Sequence, residues 1–332
     1  MSNTTSSPSN QYDLVQAAKQ PVVYSFSVTM TFIVITSILN ASVLCRRALR
    51  SSSCTHYFLA SVPPVLAYVV VSPVNAILSQ SYGFYINGTP VACKIVSFLA
   101  YATSLWYGLM LVCASNDRYF SSSTSVRLRR LGQVRVARRI IIIVWILSSI
   151  YMSPFLFIYY YDPTYASSKK CIQYSTKLID VYLMTRVIFY NFLIPIILGI
   201  FGALTIYNIR SQKHRIAPMN QTSLSRRTEG QLARMLIIQV AMYLLFFTPS
   251  GITYILIPFV PSMNTPYYQT IRKITIVWQQ GGYFISFFLY VLTGRIYREE
   301  LKNMFKCSRI LQQTAEHIPM SLLANVRVNT HI

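Results

Sequence analysis

The sequence predicts an all-α membrane protein built as a seven-transmembrane helix bundle. Three observations predict it. Of the 332 residues, 53% are hydrophobic and only 11% charged, against about 25% charged in an ordinary soluble domain. Seven apolar stretches, each long enough to cross a hydrocarbon core of about 30 Å, cover residues 22–45, 57–79, 94–120, 137–160, 181–209, 231–258 and 270–292. Finally, 22 of the 30 basic residues fall in alternate connecting segments, at 46–50, 118–139, 210–234 and 295–327.

Residues 1–21 read as a polar tail. They lack a charged start followed by a short apolar core, so no cleaved signal peptide is expected and the first span serves as its own insertion signal. Spans two, four, five and six carry Pro63, Pro64, Pro154, Pro195 and Pro249, which packed membrane helices tolerate. The third span begins at Cys93 and closes on Asp117-Arg118-Tyr119. At about 1.5 Å per residue, Cys93 and Arg118 stand roughly 37 Å apart, at opposite membrane faces. A carboxylate and a guanidinium at the end of such a helix are costly unless they serve a function. Residues 22–306 therefore read as one membrane domain, and 307–332 as a tail.

The alternating charge sets the topology. Basic residues gather on the cytoplasmic side, which places the amino terminus outside and the carboxyl terminus of this multi-pass chain in the cytoplasm. The net charge of +22 then points to anionic inner-leaflet lipid and not to nucleic acid. Of six cysteines, Cys93 and Cys171 fall outside, where an oxidising compartment favours a disulfide; two free thiols are the alternative. Asn3-Thr4-Thr5 and Asn87-Gly88-Thr89 are glycosylation sequons on the same side, whereas the sequons at Asn40 and Asn220 are buried or cytoplasmic. On the cytoplasmic side, Arg118 is placed to pair with Asp117 beside it and with Glu229 across helices three and six. Such a pair is a latch with two states a few kcal/mol apart. The alternative is that these residues only end their helices at the lipid interface.

Asn40, Leu59-Ala60, Cys93, Asp117-Arg118-Tyr119, Trp145, Pro195 and Pro249 stand in an order and spacing that resembles the rhodopsin-like (class A) G protein-coupled receptors. The resemblance covers roughly residues 22–306; residues 292–301 look like the short amphipathic eighth helix that follows span seven in that family, and the resemblance implies a plasma-membrane protein. It implies a receptor, not an enzyme, in which an extracellular ligand favours outward movement of helix six. That movement frees Arg118 and opens a groove for a heterotrimeric G protein, with Tyr290 and Tyr207 supplying hydroxyls to the open state. Physically this is a population shift, driven by the ligand's differential affinity for two arrangements. Several positions depart from the family pattern. Pro63 replaces a buried aspartate and Ser286 an asparagine, so no sodium site of the usual kind is expected. Phe247 replaces a tryptophan, Ala203 a tyrosine, and the segment 286–290 keeps only Tyr290 of its motif.

For the ligand, helical periodicity turns Tyr101, Ser104, Asn191, Phe247, Tyr254, Gln279 and Gln280 toward the upper interior, with interhelical packing as the alternative. Ala100 stands where amine-binding relatives carry an aspartate, and Gln280 where opsins carry a lysine. A monoamine or retinal is thereby excluded. Arg186, Arg272, Lys273, Lys169 and Lys170 near the mouth suit a peptide with an acidic group or a free carboxylate; ordinary solvated charge is the alternative for the loop lysines. Cys307, between Lys306 and Arg309, is a lipidation candidate. Neither cofactor nor metal is expected: His56, His214, His317 and His331 lie in loops or tails without ligand spacing. A transporter or channel is disfavoured, because no internal repeat and no mid-span carboxylate occurs.

Overall fold

Helices one, three, five, six and seven run longer than the apolar stretches that announced them. In the computed structural model, which describes residues 8–123, 125–164, 171–174, 176–215, 223–259 and 265–304, helix one runs Pro8–Leu44 and helix three Pro90–Ser121. Helix six runs Ser223–Phe259 and helix seven Pro266–Thr293. Hydropathy registers only the hydrocarbon-depth part of a helix; the polar turns beyond it keep helical geometry because their backbone groups pair within the helix. Helix one in particular begins at Pro8, so the tail expected over 1–21 is helical from that point. By length and composition, six stretches among the described residues qualify as membrane spans, among them Gln20–Leu44, Ser53–Ser81 and Val134–Ile158. Helix seven is more polar through Gln279, Gln280, Arg272 and Lys273.

Prolines explain the irregular backbone. Helix two breaks at Ser61, resumes as Val62–Val69 with Pro63 and Pro64 in its first turn, widens to a π-helical turn at Val70–Val74 that holds Pro73, and ends as Asn75–Ser81. Helix five runs Lys177–Ile188, takes a π turn at Phe189–Leu193, and continues as Ile194–Arg215 with Pro195 just past the turn. A proline removes one i→i−4 bond and crowds the preceding turn, and a widened turn absorbs both effects. Helix four, Val134–Met152, yields at Pro154 to a single turn, Phe155–Ile158. Burial ranks the helices: 56% of the apolar window of helix two is buried but only 17% of that of helix four. Helix four accordingly presents Ile142, Ile143, Ile146, Leu147 and Ile150 outward, a face that suits lipid and not water.

One feature is not helical. Strand β1, Tyr159–Tyr161, pairs antiparallel with β2, Cys171–Gln173, and Cys171 bonds to Cys93 at the start of helix three. The hairpin is thereby pinned beside one end of the bundle, though Lys169 and Lys170 lie outside the described residues. At the opposite end, residues 295–304 form the expected eighth helix. Its buried Tyr297 donates to Asn40 of helix one at 3.0 Å, while Arg298 caps helix seven by donating to the carbonyls of Val291 and Leu292 at 3.0 and 2.6 Å. Arg295 and Glu299 pair on the exposed face, which makes the helix amphipathic. Cys307 and Asn3 lie outside the described residues.

Candidate functional site

Helix three connects two sites, one at each of its ends. At the end without the disulfide, Asp117 and Arg118 are only 3% and 4% exposed and form an ion pair at 3.2 Å. Asp117 also accepts a hydrogen bond from Ser53 at 2.7 Å, and Arg118 donates to Ser52 at 2.8 Å. Ser53 opens helix two and Ser52 is the extended residue just before it. A buried ion pair survives desolvation only when further hydrogen bonds complete it, and the two serines do that here. The helix position of residue 229 is described, within Ser223–Phe259, but its side chain is not. Contact between Glu229 and Arg118 therefore lies outside the described residues. Tyr119 points elsewhere, against Phe201 of helix five with ring centroids 5.8 Å apart. Tyr207 is 70% exposed.

Tyr290 is 1% exposed; it donates to Gln239 of helix six and lies against Phe58 and Tyr297. Above it, a cavity of about 20 Å³ is bounded by Asn40, Ser61, Tyr107, Gln239, Ser286 and Tyr290 among others. That is room for about one water, and its described lining carries no carboxylate. A column of rings follows. Phe247 stacks on Tyr243 at 4.3 Å and on Tyr107 at 5.8 Å, and meets Tyr283 edge-on at 5.3 Å. Helix seven admits these rings because it carries Gly281 and Gly282. A Cβ on the first would stand 2.6 Å from Phe246, and on the second 2.7 Å from Phe247. Small residues let membrane helices approach closely. Ser250 reinforces the contact by donating to Gln279 at 2.6 Å.

At the disulfide end a cavity of about 650 Å³ opens among helices two, three, five, six and seven. Tyr101, Ser104, Asn191, Tyr254 and Gln279 line it, as their periodicity led one to expect. Phe247 and Gln280 do not, and here the expectation is corrected. Phe247 is committed to the ring column below. Gln280 is fully buried and accepts a hydrogen bond from Thr29 of helix one at 2.5 Å; one helical position moves a side chain by about 100°, enough to turn it from cavity to neighbour. Asn87 lines the same cavity from the turn before helix three. Tyr101 and Tyr159 share a hydrogen bond at 2.9 Å, tying the hairpin to helix three.

Cations gather at this end. The Arg186 guanidinium lies 4.5 Å from the Tyr101 ring centre and 5.7 Å from that of Tyr254, while Arg272 covers Tyr254 at 4.1 Å. Arg186 and Lys273 line the cavity. Asp162, beyond β1, is occupied locally: it accepts both the backbone N–H and the hydroxyl of Thr164, at 2.9 and 2.6 Å, which holds its pKa below the usual carboxylate range. Ser52, Ser53, Gln239 and the glycine pair escaped sequence reasoning. A run of serines beside a basic turn was the signal for the first two; for the others, single polar or small residues in an apolar stretch name no partner.

Comparison with known proteins agrees with this geometry. The family model described as 7 transmembrane receptor (rhodopsin family) matches residues 37–291. Galanin receptor 2a of Danio rerio is 26% identical over 300 residues, covering 87% of this chain and 79% of that protein. Galanin receptor 2b of the same species is 22% identical over 225 residues, covering 65% of this chain and 56% of its own length.

Proposed function

The chain belongs to the rhodopsin family of seven-transmembrane receptors, and on that premise we propose that it binds an extracellular peptide and activates a heterotrimeric G protein from the plasma membrane. The observation that carries this reading is the division of helix three between an open cavity at one end and a closed ion pair at the other. A space of about 650 Å³ falls in the range of ordinary ligand pockets, and its aromatic and polar lining suits one end of a peptide. The names of both relatives, galanin receptors, point the same way. The disulfide end then faces outward and the chain's carboxyl terminus lies in the cytoplasm, consistent with the basic residues of the intervening segments.

Coupling rests on Arg118. At rest Asp117, Ser52 and Ser53 hold it, and Glu229, near the same end of helix six, adds a restraint across the groove. Ligand binding at the outer cavity favours the arrangement in which helix six swings away and Arg118 meets the G protein. The ring column at Tyr107, Tyr243, Phe247 and Tyr283 lies between the two ends, and the Tyr290–Gln239 bond joins helices six and seven beneath it. Cys307, Asn3 and Asn87 remain lipidation and glycosylation sites in this reading.

The test is a Gα nucleotide-exchange panel in cells, comparing wild type with Arg118→Ala and Glu229→Ala at matched surface expression. The expected outcome is lost coupling for the first variant and raised basal exchange for the second. Unchanged exchange in both would sink the proposed latch.

A further inference from the structure

We infer that the outer cavity is a carboxylate-reading site whose principal reader is Arg186, on helix five; this rests on the receptor reading above and specifies its ligand. The guanidinium lies over Tyr101, 4.5 Å from the ring centre, with Phe155 and Tyr254 at 5.8 and 5.7 Å. Aromatic rings engage the flat face of a guanidinium and leave its in-plane N–H groups available. Those edge donors match the two oxygens of a carboxylate. Arg186 Nε is buried and meets no acceptor among the described residues.

Charge points the same way. Among the described residues the ion pairs are Asp117–Arg118 and Arg295–Glu299, so none involves Arg186. No Asp or Glu lines the cavity. Of the acids on this side whose side chains are described, Asp162 is engaged by Thr164 and Asp180 is exposed on the first turn of helix five. A cation half-buried among rings, with no counter-charge among the described residues, favours an anion brought by a ligand. Arg272 does not line the cavity; it stacks on Tyr254 at 4.1 Å and acts by fixing that ring and adding positive field. Lys273 lines the cavity on helix seven and adds a second positive charge. The tyrosines supply hydroxyl donors, and Phe155, buried and stacked on Tyr101 at 4.3 Å, keeps the Arg186 platform rigid.

The chemistry selects a carboxylate adjacent to an aromatic or apolar group, whether the terminal carboxylate of a peptide or an acidic side chain near its end. Three probes separate these sources: N-acetyl-phenylalanine, its carboxamide, and N-acetyl-aspartyl-phenylalaninamide, which carries only a side-chain carboxylate. Each is titrated into the purified full-length receptor in lipid nanodiscs, reading saturation-transfer NMR and the thermal unfolding midpoint. At least one carboxylate probe is expected to bind about 10-fold or more tighter than the uncharged amide, the scale of one charge-assisted hydrogen-bond pair. Terminal and side-chain sources are told apart by which probe wins. Arg186→Gln is expected to erase that preference, Arg186→Lys to restore part of it, and Arg272→Gln to weaken it less than Arg186→Gln does.

Equal binding of amide and acids in the wild-type receptor overturns the inference without recourse to any variant. A preference that persists in a folded Arg186→Gln protein overturns the assignment to Arg186. Because the readout is binding and not nucleotide exchange, failure here leaves the receptor reading standing; failure of the exchange panel leaves this one standing.

Discussion

Arg118 and Arg186 are the same residue in opposite circumstances. Arg118 is buried at one end of helix three with an acid and a serine already in contact. Arg186 sits at the other end of the bundle among rings, in no ion pair with a described residue. A compensated buried charge resists change until something competes for it, and so suits a switch. An uncompensated charge at a cavity wall suits recognition. The contrast teaches that the partners of a charge, not the charge itself, divide holding from reading.

The largest effect should come from removing a partner at the closed end. Asp117→Ala leaves the Arg118 guanidinium buried without its carboxylate, expected to cost about 3–5 kcal/mol, read as a lower thermal unfolding midpoint together with higher basal exchange. Arg186→Gln, by contrast, should leave the midpoint of the ligand-free receptor nearly unchanged; a drop as large as that of Asp117→Ala would erase the distinction between the two ends. Ser53→Ala removes a single hydrogen bond to a charged acceptor, expected to cost about 1.5–3 kcal/mol and to raise basal exchange less. Gly282→Ala places a methyl 2.7 Å from Phe247 and should destabilise by about 1–3 kcal/mol through overpacking; it tests the ring column between the ends, since signalling should shift while probe affinity holds. The smallest effect is expected for Arg295→Ala. That residue's pair with Glu299 is 70% and 56% exposed, and loss of it should cost below about 1 kcal/mol, within the error of the same unfolding measurement.

The seven helices were legible because lipid demands long apolar runs and the hydropathy of each run is local. The eighth helix and the Cys93–Cys171 bond were legible too, the first through the family resemblance, the second from a charge-derived topology that left one outer partner. Prolines were legible as tolerated within membrane helices, but the π turns at Val70–Val74 and Phe189–Leu193 were not, because whether a helix widens or kinks depends on what packs against it. The cavity-facing residues were partly legible. Tyr101, Ser104, Asn191, Tyr254 and Gln279 follow the period of their helices, whereas Phe247 shares the face of Tyr254 but lies about two turns deeper, and Gln280, one position past Gln279, turns to Thr29 of helix one.

By itself the sequence determined the number of crossings, the basic asymmetry across them and the presence of Asp117-Arg118 at one end of the third, because each depends on residues near one another along the chain. Only the tertiary structure decided that Ser52 and Ser53 hydrogen-bond the ion pair, that Gly281 and Gly282 seat the rings of helix six, and that Arg186 lies over Tyr101 with no carboxylate beside it among the described residues. These arrangements join residues distant along the chain, and their energies depend on helix rotation and depth, which the packing of the whole bundle sets.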